Sequence, residues 1–142
     1  MYPFYLELEL VKPVIDYFKD KGYIVKSEIR IGFNRADLVC FKAKRVVAVE
    51  LKLRNWKKAI IQAKNYQLGA DYVYLAFPLM KSYNVIKKAE NTLIKEGIGL
   101  IVVNEKSTEV KEVIKAKISK KKIASITLSE INKKKKKRHH KF

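Results

Sequence analysis

Residues 34–53, NRADLVCFKAKRVVAVELKL, predict two neighbouring strands and decide the fold. In the second strand, from Arg45 to Leu53, successive side chains point to opposite faces. One face is apolar throughout, whereas the other begins apolar and ends with Glu50 and Lys52. A core strand thus ends in a carboxylate and an ammonium, which indicates a polar site at that end of the strand.

The first strand of this pair carries a second carboxylate, Asp37. It runs antiparallel to the other strand through a tight connection at residues 42–44. Two registers are open, one residue apart, and they place Asp37 opposite either Val49 or Glu50. Side chains across such a pair lie roughly 4.5–5.5 Å apart at Cβ, a distance at which two carboxylates repel each other. A cation is therefore expected between Asp37 and Glu50.

A hard divalent cation suits this carboxylate pair, because Mg²⁺ takes one or two carboxylates together with waters and phosphate oxygens. Lys52 follows Glu50 by two residues and so points from the same face of the strand. A divalent ion that activates water and a lysine that stabilises developing charge are the minimum equipment for phosphodiester hydrolysis. These residues predict an Mg²⁺-dependent site in which Mn²⁺ also functions.

Hydrophobic patterns on both sides of the hairpin predict the other elements. Helical spacing from Leu6 to Gly22 predicts a helix that is kinked or restarted at Pro13. Alternation from Tyr23 to Ile31 predicts a further strand. Beyond the hairpin, helices alternate with apolar strands, over residues 55–68, 72–77, 81–96 and 98–103. The fold class is therefore α/β, with an antiparallel meander continued by parallel β-α-β units in one mixed sheet flanked by helices.

Positive charge is concentrated toward the C-terminal end of the chain. The net charge is +18, and residues 111–142 carry 13 Lys or Arg against 2 acidic residues. We predict a core over residues 1–105, an extension over 106–128 in which Val110 to Ile118 is helix or strand, and a disordered basic tail over 129–142. Such an excess favours a polyanionic partner, chiefly nucleic acid, through counterion release.

Cysteine content and hydropathy limit the classes of protein to which this chain can belong. The single cysteine, Cys40, excludes an internal disulfide and a cysteine-rich zinc site, and its apolar neighbours predict a buried thiol. No run of about 18 apolar residues occurs, and the first twenty residues lack the apolar segment of a signal peptide. We expect a cytoplasmic protein that does not associate with membranes.

The chain resembles the PD-(D/E)XK nuclease superfamily in the motif Asp37-x12-Glu50-Leu51-Lys52. The motif spans a predicted strand, turn and strand, and a helix and another strand follow it. The resemblance covers about half of the chain, from Leu6 to Phe77. It implies the restriction-endonuclease-like fold and a nuclease activity. The chain looks most similar to small stand-alone nucleases and, more distantly, to archaeal Holliday-junction resolvases.

The resemblance also implies roles for individual residues. Members usually carry an acidic residue on the first helix, for which Glu7 is the better match and Glu9 the second, while Glu28 on the first strand is an alternative. Many carry a glutamine in the helix after the lysine, sometimes as Q-x-x-x-Y, which Gln62 and Tyr66 match. The implied metal ligands are Asp37, Glu50, the main-chain carbonyl of Leu51 and Glu7; the catalytic residues are Asp37, Glu50, Lys52, Glu7 and Gln62; the nucleic-acid contacts are Arg35, Lys57, Lys58 and Tyr66.

Two classes of function follow from these observations. The first is a metal-dependent nuclease that hydrolyses phosphodiester bonds, with DNA the favoured substrate. The second is a non-catalytic nucleic-acid-binding protein on the same fold. The presence together of Asp37, Glu50 and Lys52 favours the nuclease, because a degenerate copy has no reason to keep an acid pair beside a lysine. Cutting both strands of a duplex would favour a symmetric homodimer.

Overall fold

The predicted hairpin lies inside a larger sheet in a computed structural model of the protein, which describes residues 8–123. The helices are α1 (Leu8–Asp20), α2 (Trp56–Tyr66) and α3 (Leu79–Glu96); the strands are β1 (Ile24–Ile31), β2 (Asn34–Lys42), β3 (Arg45–Leu51), β4 (Tyr72–Pro78), β5 (Gly99–Val103) and β6 (Val110–Ile114).

The six strands form one sheet in the order of the chain, β1 to β6. The pairs among β1, β2 and β3 are antiparallel, those among β3, β4 and β5 are parallel, and β6 is antiparallel to β5. This topology confirms the predicted α/β class with a mixed sheet. Because both parallel connections run in the same direction along the sheet, right-handed crossovers place α2 and α3 on the same face.

The sheet separates two apolar cores. The α2/α3 core includes Ala48 and Leu75 from the sheet together with Ala63 and Leu93 from the two helices. The α1 core, on the opposite face, includes buried residues of α1 and of the sheet such as Leu10, Val14, Val47, Val49 and Ile101. Neighbouring residues of β3 therefore alternate between the cores, as its sequence pattern predicts.

Cys40 is fully buried in the α1 core, as its apolar neighbours predict. Burial raises the pKa of its thiol to about 12, so the sulfur stays protonated and unreactive at neutral pH. Helix α1 runs through Pro13 without a break. Pro13 has no N–H to donate to the carbonyl of Glu9, an exposed residue in the first turn of the helix.

The prediction of uniform alternation in β1 is wrong at one point. Val25 contacts the α1 core, whereas Ile29 and Ile31 belong to the α2/α3 core, so the odd-numbered positions change face within one strand. The change occurs at Glu28, whose φ of 54° is left-handed. The partner strand β2 changes face at the matching place, since Ala36 belongs to the α2/α3 core and Leu38 to the α1 core. The altered stretch of β1 lies beside the segment of β2 that carries Asp37.

Strand β6 extends the sheet beyond residue 105, the predicted end of the core. Val110 pairs with Val103 and Ile114 with Leu100, so of the two predicted alternatives for this segment, helix and strand, the structure has a strand over Val110–Ile114. The predicted basic tail over 129–142 lies outside the described residues. None of the helices within residues 8–123 combines the length and apolar character needed to cross a lipid bilayer.

Candidate active site

The register of the β2–β3 hairpin brings Asp37 next to Glu50. Phe41 pairs with Val46 and Leu38 with Val49, the last pair of the ladder, and the two acids lie one residue beyond that pair on their strands. Asp37 Oδ2 accepts a hydrogen bond of 2.8 Å from the main-chain N–H of Leu51. The side chain of Asp37 therefore reaches across to β3 and is fixed next to Glu50.

Glu50 is a buried acid: its exposed fraction is 3%. It faces the α2/α3 core, two residues beyond Ala48 on β3. Its Oε1 lies 2.9 Å from the hydroxyl of Tyr66, and its Oε2 lies 3.5 Å from Nζ of Lys52. The structure thus brings Asp37, Glu50 and Lys52 together, in the arrangement that strand alternation and the tight connection predict.

The pKa of Glu50 is raised to about 7, first by burial and then by the negative charge of Asp37. The hydroxyl of Tyr66 and the ammonium of Lys52 lower this pKa and offset part of the rise. Near neutral pH this carboxyl therefore exchanges between its protonated and ionised forms. Shifts of this kind, caused by burial and by a nearby like charge, occur often at functional sites.

Tyr66 supports the carboxylate from α2. Its hydroxyl also lies 2.8 Å from the main-chain carbonyl oxygen of Arg35 on β2. One hydroxyl proton cannot serve two acceptors fully, but the Tyr66 hydroxyl lowers the pKa of Glu50, so its contact with Glu50 is strongest when it donates to the ionised carboxylate. Burial and the charge of Glu50 raise the pKa of Tyr66, which keeps its hydroxyl protonated.

Tyr66 does not lie where a nucleic-acid contact would require. Its side chain is fully buried, so its ring cannot stack on a base. Sequence reasoning missed its role as a partner of Glu50, although one signal pointed to it. Tyr66 continues the apolar face of α2 formed by Ala59, Ile60 and Ala63, and that face packs against the sheet.

Gln62 lies one turn before Tyr66 on α2, a spacing that puts both on one side of the helix. Its Oε1 is buried, and within residues 8–123 it has no hydrogen-bond partner. Leaving such an acceptor unmatched costs about 1–3 kcal/mol. The oxygen is therefore available to a donor that is not part of this segment of the chain.

The other predicted residues occupy different positions. Arg35, Lys57 and Lys58 are exposed, on β2 and at the start of α2. Glu7 lies outside the described residues. Glu9 is exposed on α1, which packs against the face of the sheet opposite Glu50. Glu28 is exposed at the point where β1 changes face.

The site fits a hard divalent cation through two carboxylates. Within residues 8–123 no group of three or more His, Cys, Asp or Glu side chains could hold a metal. Asp37 and Glu50 are nevertheless close enough for the charge of one to raise the pKa of the other, so a cation between them would relieve repulsion. Mg²⁺ tolerates such a site, because waters and phosphate oxygens complete its coordination.

Comparison with known proteins adds information on the fold alone. No protein-family model and no curated protein matches the sequence. The structure is similar to a solved structure of a protein of unknown function from Silicibacter pomeroyi, with a TM-score of 0.67 and 16% sequence identity. The match covers 91% of this chain and 85% of that one. A similar fold therefore occurs in a protein with little sequence similarity.

Proposed function

We propose that the protein is a metal-dependent nuclease that hydrolyses phosphodiester bonds, with DNA the favoured substrate. The observation that carries the proposal is Glu50: a buried carboxylate in contact with Lys52 and opposed by Asp37. Burying an acid beside a like charge costs stability, so the arrangement has no benefit for folding. Its value lies in binding and chemistry.

Each of the site residues has a defined task in this proposal. Asp37 and Glu50 hold the divalent ion, which activates water and neutralises charge on the phosphate when bound. The main-chain N–H of Leu51 orients Asp37, and Tyr66 orients Glu50. Lys52 stabilises negative charge that develops on the scissile phosphate, since its ammonium already lies at the carboxylate.

A polymeric substrate is favoured over a small phosphodiester by the charge around the site. Arg35 lies on β2 beside the hydroxyl of Tyr66, and Lys57 and Lys58 begin α2. All three are exposed, and the chain carries a net charge of +18. Exposed cations of this kind contact phosphates without reading bases, so they suit binding of a nucleic-acid backbone.

A cleavage panel tests the proposal with labelled single-stranded, duplex and four-way-junction DNA, and with RNA of the same lengths. We expect cleavage with Mg²⁺ or Mn²⁺ and none with chelator. Glu50→Ala should lose at least about 100-fold in rate. Glu90→Gln, which changes an exposed acid on α3, should cleave like the native protein.

The variant Lys52→Ala tests whether Lys52 acts in the chemical step or in binding of DNA. Its rate under saturating substrate should fall far more than its affinity for DNA, because its charge acts mainly in the transition state. Lys58→Ala should do the reverse and weaken affinity with little change in rate. Full cleavage activity in a folded Glu50→Ala protein would refute the proposed nuclease site. Tight DNA binding without cleavage under any metal would favour the non-catalytic alternative.

A further inference from the structure

A pocket lies on the face of the sheet opposite to Glu50. Its volume is ≈ 500 Å³, within the range of small-molecule sites. It forms where the end of α1 meets the first residues of β3 and β4, and the segment after β6 closes it. Val47, which lines it, belongs to the α1 core, whereas Glu50 faces the α2/α3 core. The two sites therefore do not share a face.

Four tyrosines line this pocket, Tyr17, Tyr23, Tyr72 and Tyr74, and we call it the tyrosine pocket. Phe18 holds three of them by edge-to-face contacts, with centroid distances of 5.2 Å to Tyr17, 5.6 Å to Tyr23 and 6.4 Å to Tyr74. Such contacts restrict the rings and keep the pocket preformed. Preformed aromatic walls suit a flat ring in the ligand.

The Tyr74 hydroxyl is fixed as well. It donates a hydrogen bond of 2.5 Å to the carboxylate of Glu112 and accepts one of 3.3 Å from the N–H of Ala116. Glu112 is the one acidic side chain among the residues that line the pocket, and Tyr74 already engages it. The carboxylate of Glu112 is thus held at the wall of the pocket by its hydrogen bond with Tyr74.

Four cations surround the same space: Lys21, Lys42, Arg45 and Lys115. Three lie over tyrosine rings, at 4.9 Å for Lys21 on Tyr17, 5.7 Å for Lys42 on Tyr23 and 5.4 Å for Arg45 on Tyr72. These contacts hold the charges near the pocket although like charges repel. An anionic ligand would relieve that repulsion, and it would interact with several cations at once.

We propose that the tyrosine pocket binds a nucleotide unit, with the base against the tyrosine rings and the phosphate among the four cations. A nucleotide combines the flat ring and the negative charge that the walls of the pocket match. The unit is either a free mononucleotide or one nucleotide of a strand, and both offer the same chemistry. This site is independent of the carboxylate site and of the proposed cleavage.

Calorimetry on the full chain with adenosine monophosphate, adenosine, inorganic phosphate and O-phosphotyrosine tests the proposal. We expect adenosine monophosphate to bind at least tenfold more tightly than each of the others. Arg45→Glu and Tyr72→Leu should each weaken its binding about tenfold or more. Lys88→Glu, an equal charge reversal on the exposed face of α3, should leave binding unchanged, and so should Glu50→Ala, which would separate this site from the nuclease.

A short single-stranded oligonucleotide distinguishes the two sources of the nucleotide. If it binds where adenosine monophosphate does not, and Arg45→Glu weakens it tenfold more than Lys88→Glu does, the pocket takes one nucleotide of a strand. Equal binding of phosphate alone, tighter binding of O-phosphotyrosine, or the same loss in Lys88→Glu as in Arg45→Glu would overturn the proposal. So would binding of none of these ligands by the folded protein.

Discussion

Glu50 brings a carboxyl group into a layer made mostly of alanine, valine, isoleucine and leucine side chains. Its pKa of about 7, raised by burial and by Asp37 from an ordinary value near 4.5, makes the folded protein hold a proton that the unfolded chain releases. Between these two values the free energy of unfolding therefore falls as pH rises, and the loss is complete above pH 7.

Glu50→Gln should remove this dependence. In chelator the variant should unfold at nearly the native denaturant concentration near pH 4, where the native carboxyl is protonated in both states. At pH 8 it should be more stable than the native protein by on the order of 1–3 kcal/mol. Urea titrations at both pH values measure the difference, with Glu90→Gln as the exposed control. Equal stability of Glu50→Gln and native protein at pH 8 would contradict a raised pKa.

Tyr66→Phe tests the hydroxyl that joins Glu50 to the carbonyl of Arg35. Losing it should destabilise the protein by about 1–3 kcal/mol, because buried acceptors lose their donor. It should also raise the pKa of Glu50 further, since the hydroxyl of Tyr66 lowers it. The acid limb of the pH–rate profile should move to higher pH. Tyr83→Phe, an exposed tyrosine on α3, should change neither quantity.

The β1–β2 hairpin is held in place by one side chain of α2. Asn65 Oδ1 accepts from the N–H of Phe33, and its Nδ2 donates to the carbonyl of Ile31 at 2.7 Å. Between them Gly32 has a φ of 61°, and a Cβ at this residue would lie 2.5 Å from Asn65 Oδ1. The hairpin and the helix that carries Tyr66 therefore constrain each other.

Gly32→Ala should destabilise the protein by roughly 1–2 kcal/mol from backbone strain alone, with the clash in addition. Gly22→Ala is the matched control, because Gly22 also has a positive φ but a Cβ there meets only the flexible end of Lys42 at 3.5 Å. We expect Gly32→Ala to be the more destabilising of the two in urea titration. The difference should shrink in an Asn65→Ala background. If both substitutions lowered the free energy of unfolding equally, the side chain of Asn65 would be able to move away from the new Cβ without an energetic cost.

The whole molecule presents two surfaces of different chemistry on opposite faces of one sheet. The carboxylate site lies on the α2/α3 face, and the tyrosine pocket with its four cations lies on the α1 face. The basic run at residues 133–142, with seven Lys or Arg and no acid, is a third positive feature of the sequence. In the functions that we propose, each of these features contacts phosphate, and the carboxylate pair also supports cleavage.

Deleting residues 133–142 should weaken DNA binding at moderate salt without changing the cleavage rate at saturating substrate. Each phosphate that this segment neutralises contributes roughly −0.9 to the slope of log K against log salt on duplex DNA. The slope should therefore become shallower by several units at most, as measured by titrations at several salt concentrations. An unchanged affinity and slope would show that these residues do not contact DNA.

Local patterns were sufficient for the elements and for the core of the candidate site. The alternation of β3 sends Val49 and Leu51 to one face and Glu50 and Lys52 to the other, because side chains in a strand repeat every two residues. The tight connection between β2 and β3, residues 43 and 44, brings Asp37 close to Glu50. These relations depend on neighbours within about fifteen residues, so the sequence alone determined them.

Contacts between distant segments were decided by the tertiary structure. Whether Tyr66 meets Glu50 or the solvent depends on how α2 packs against the sheet, and the side-chain reversal at Glu28 depends on a backbone conformation that the β-type pattern of the strand does not disclose. Strand β6 could pair only with the exposed edge of β5, and the tyrosine pocket gathers residues from four separate parts of the chain. The hydrophobic periodicity of the sequence indicates on which face of its helix or strand a residue lies. Which other residues that face contacts depends on tertiary packing.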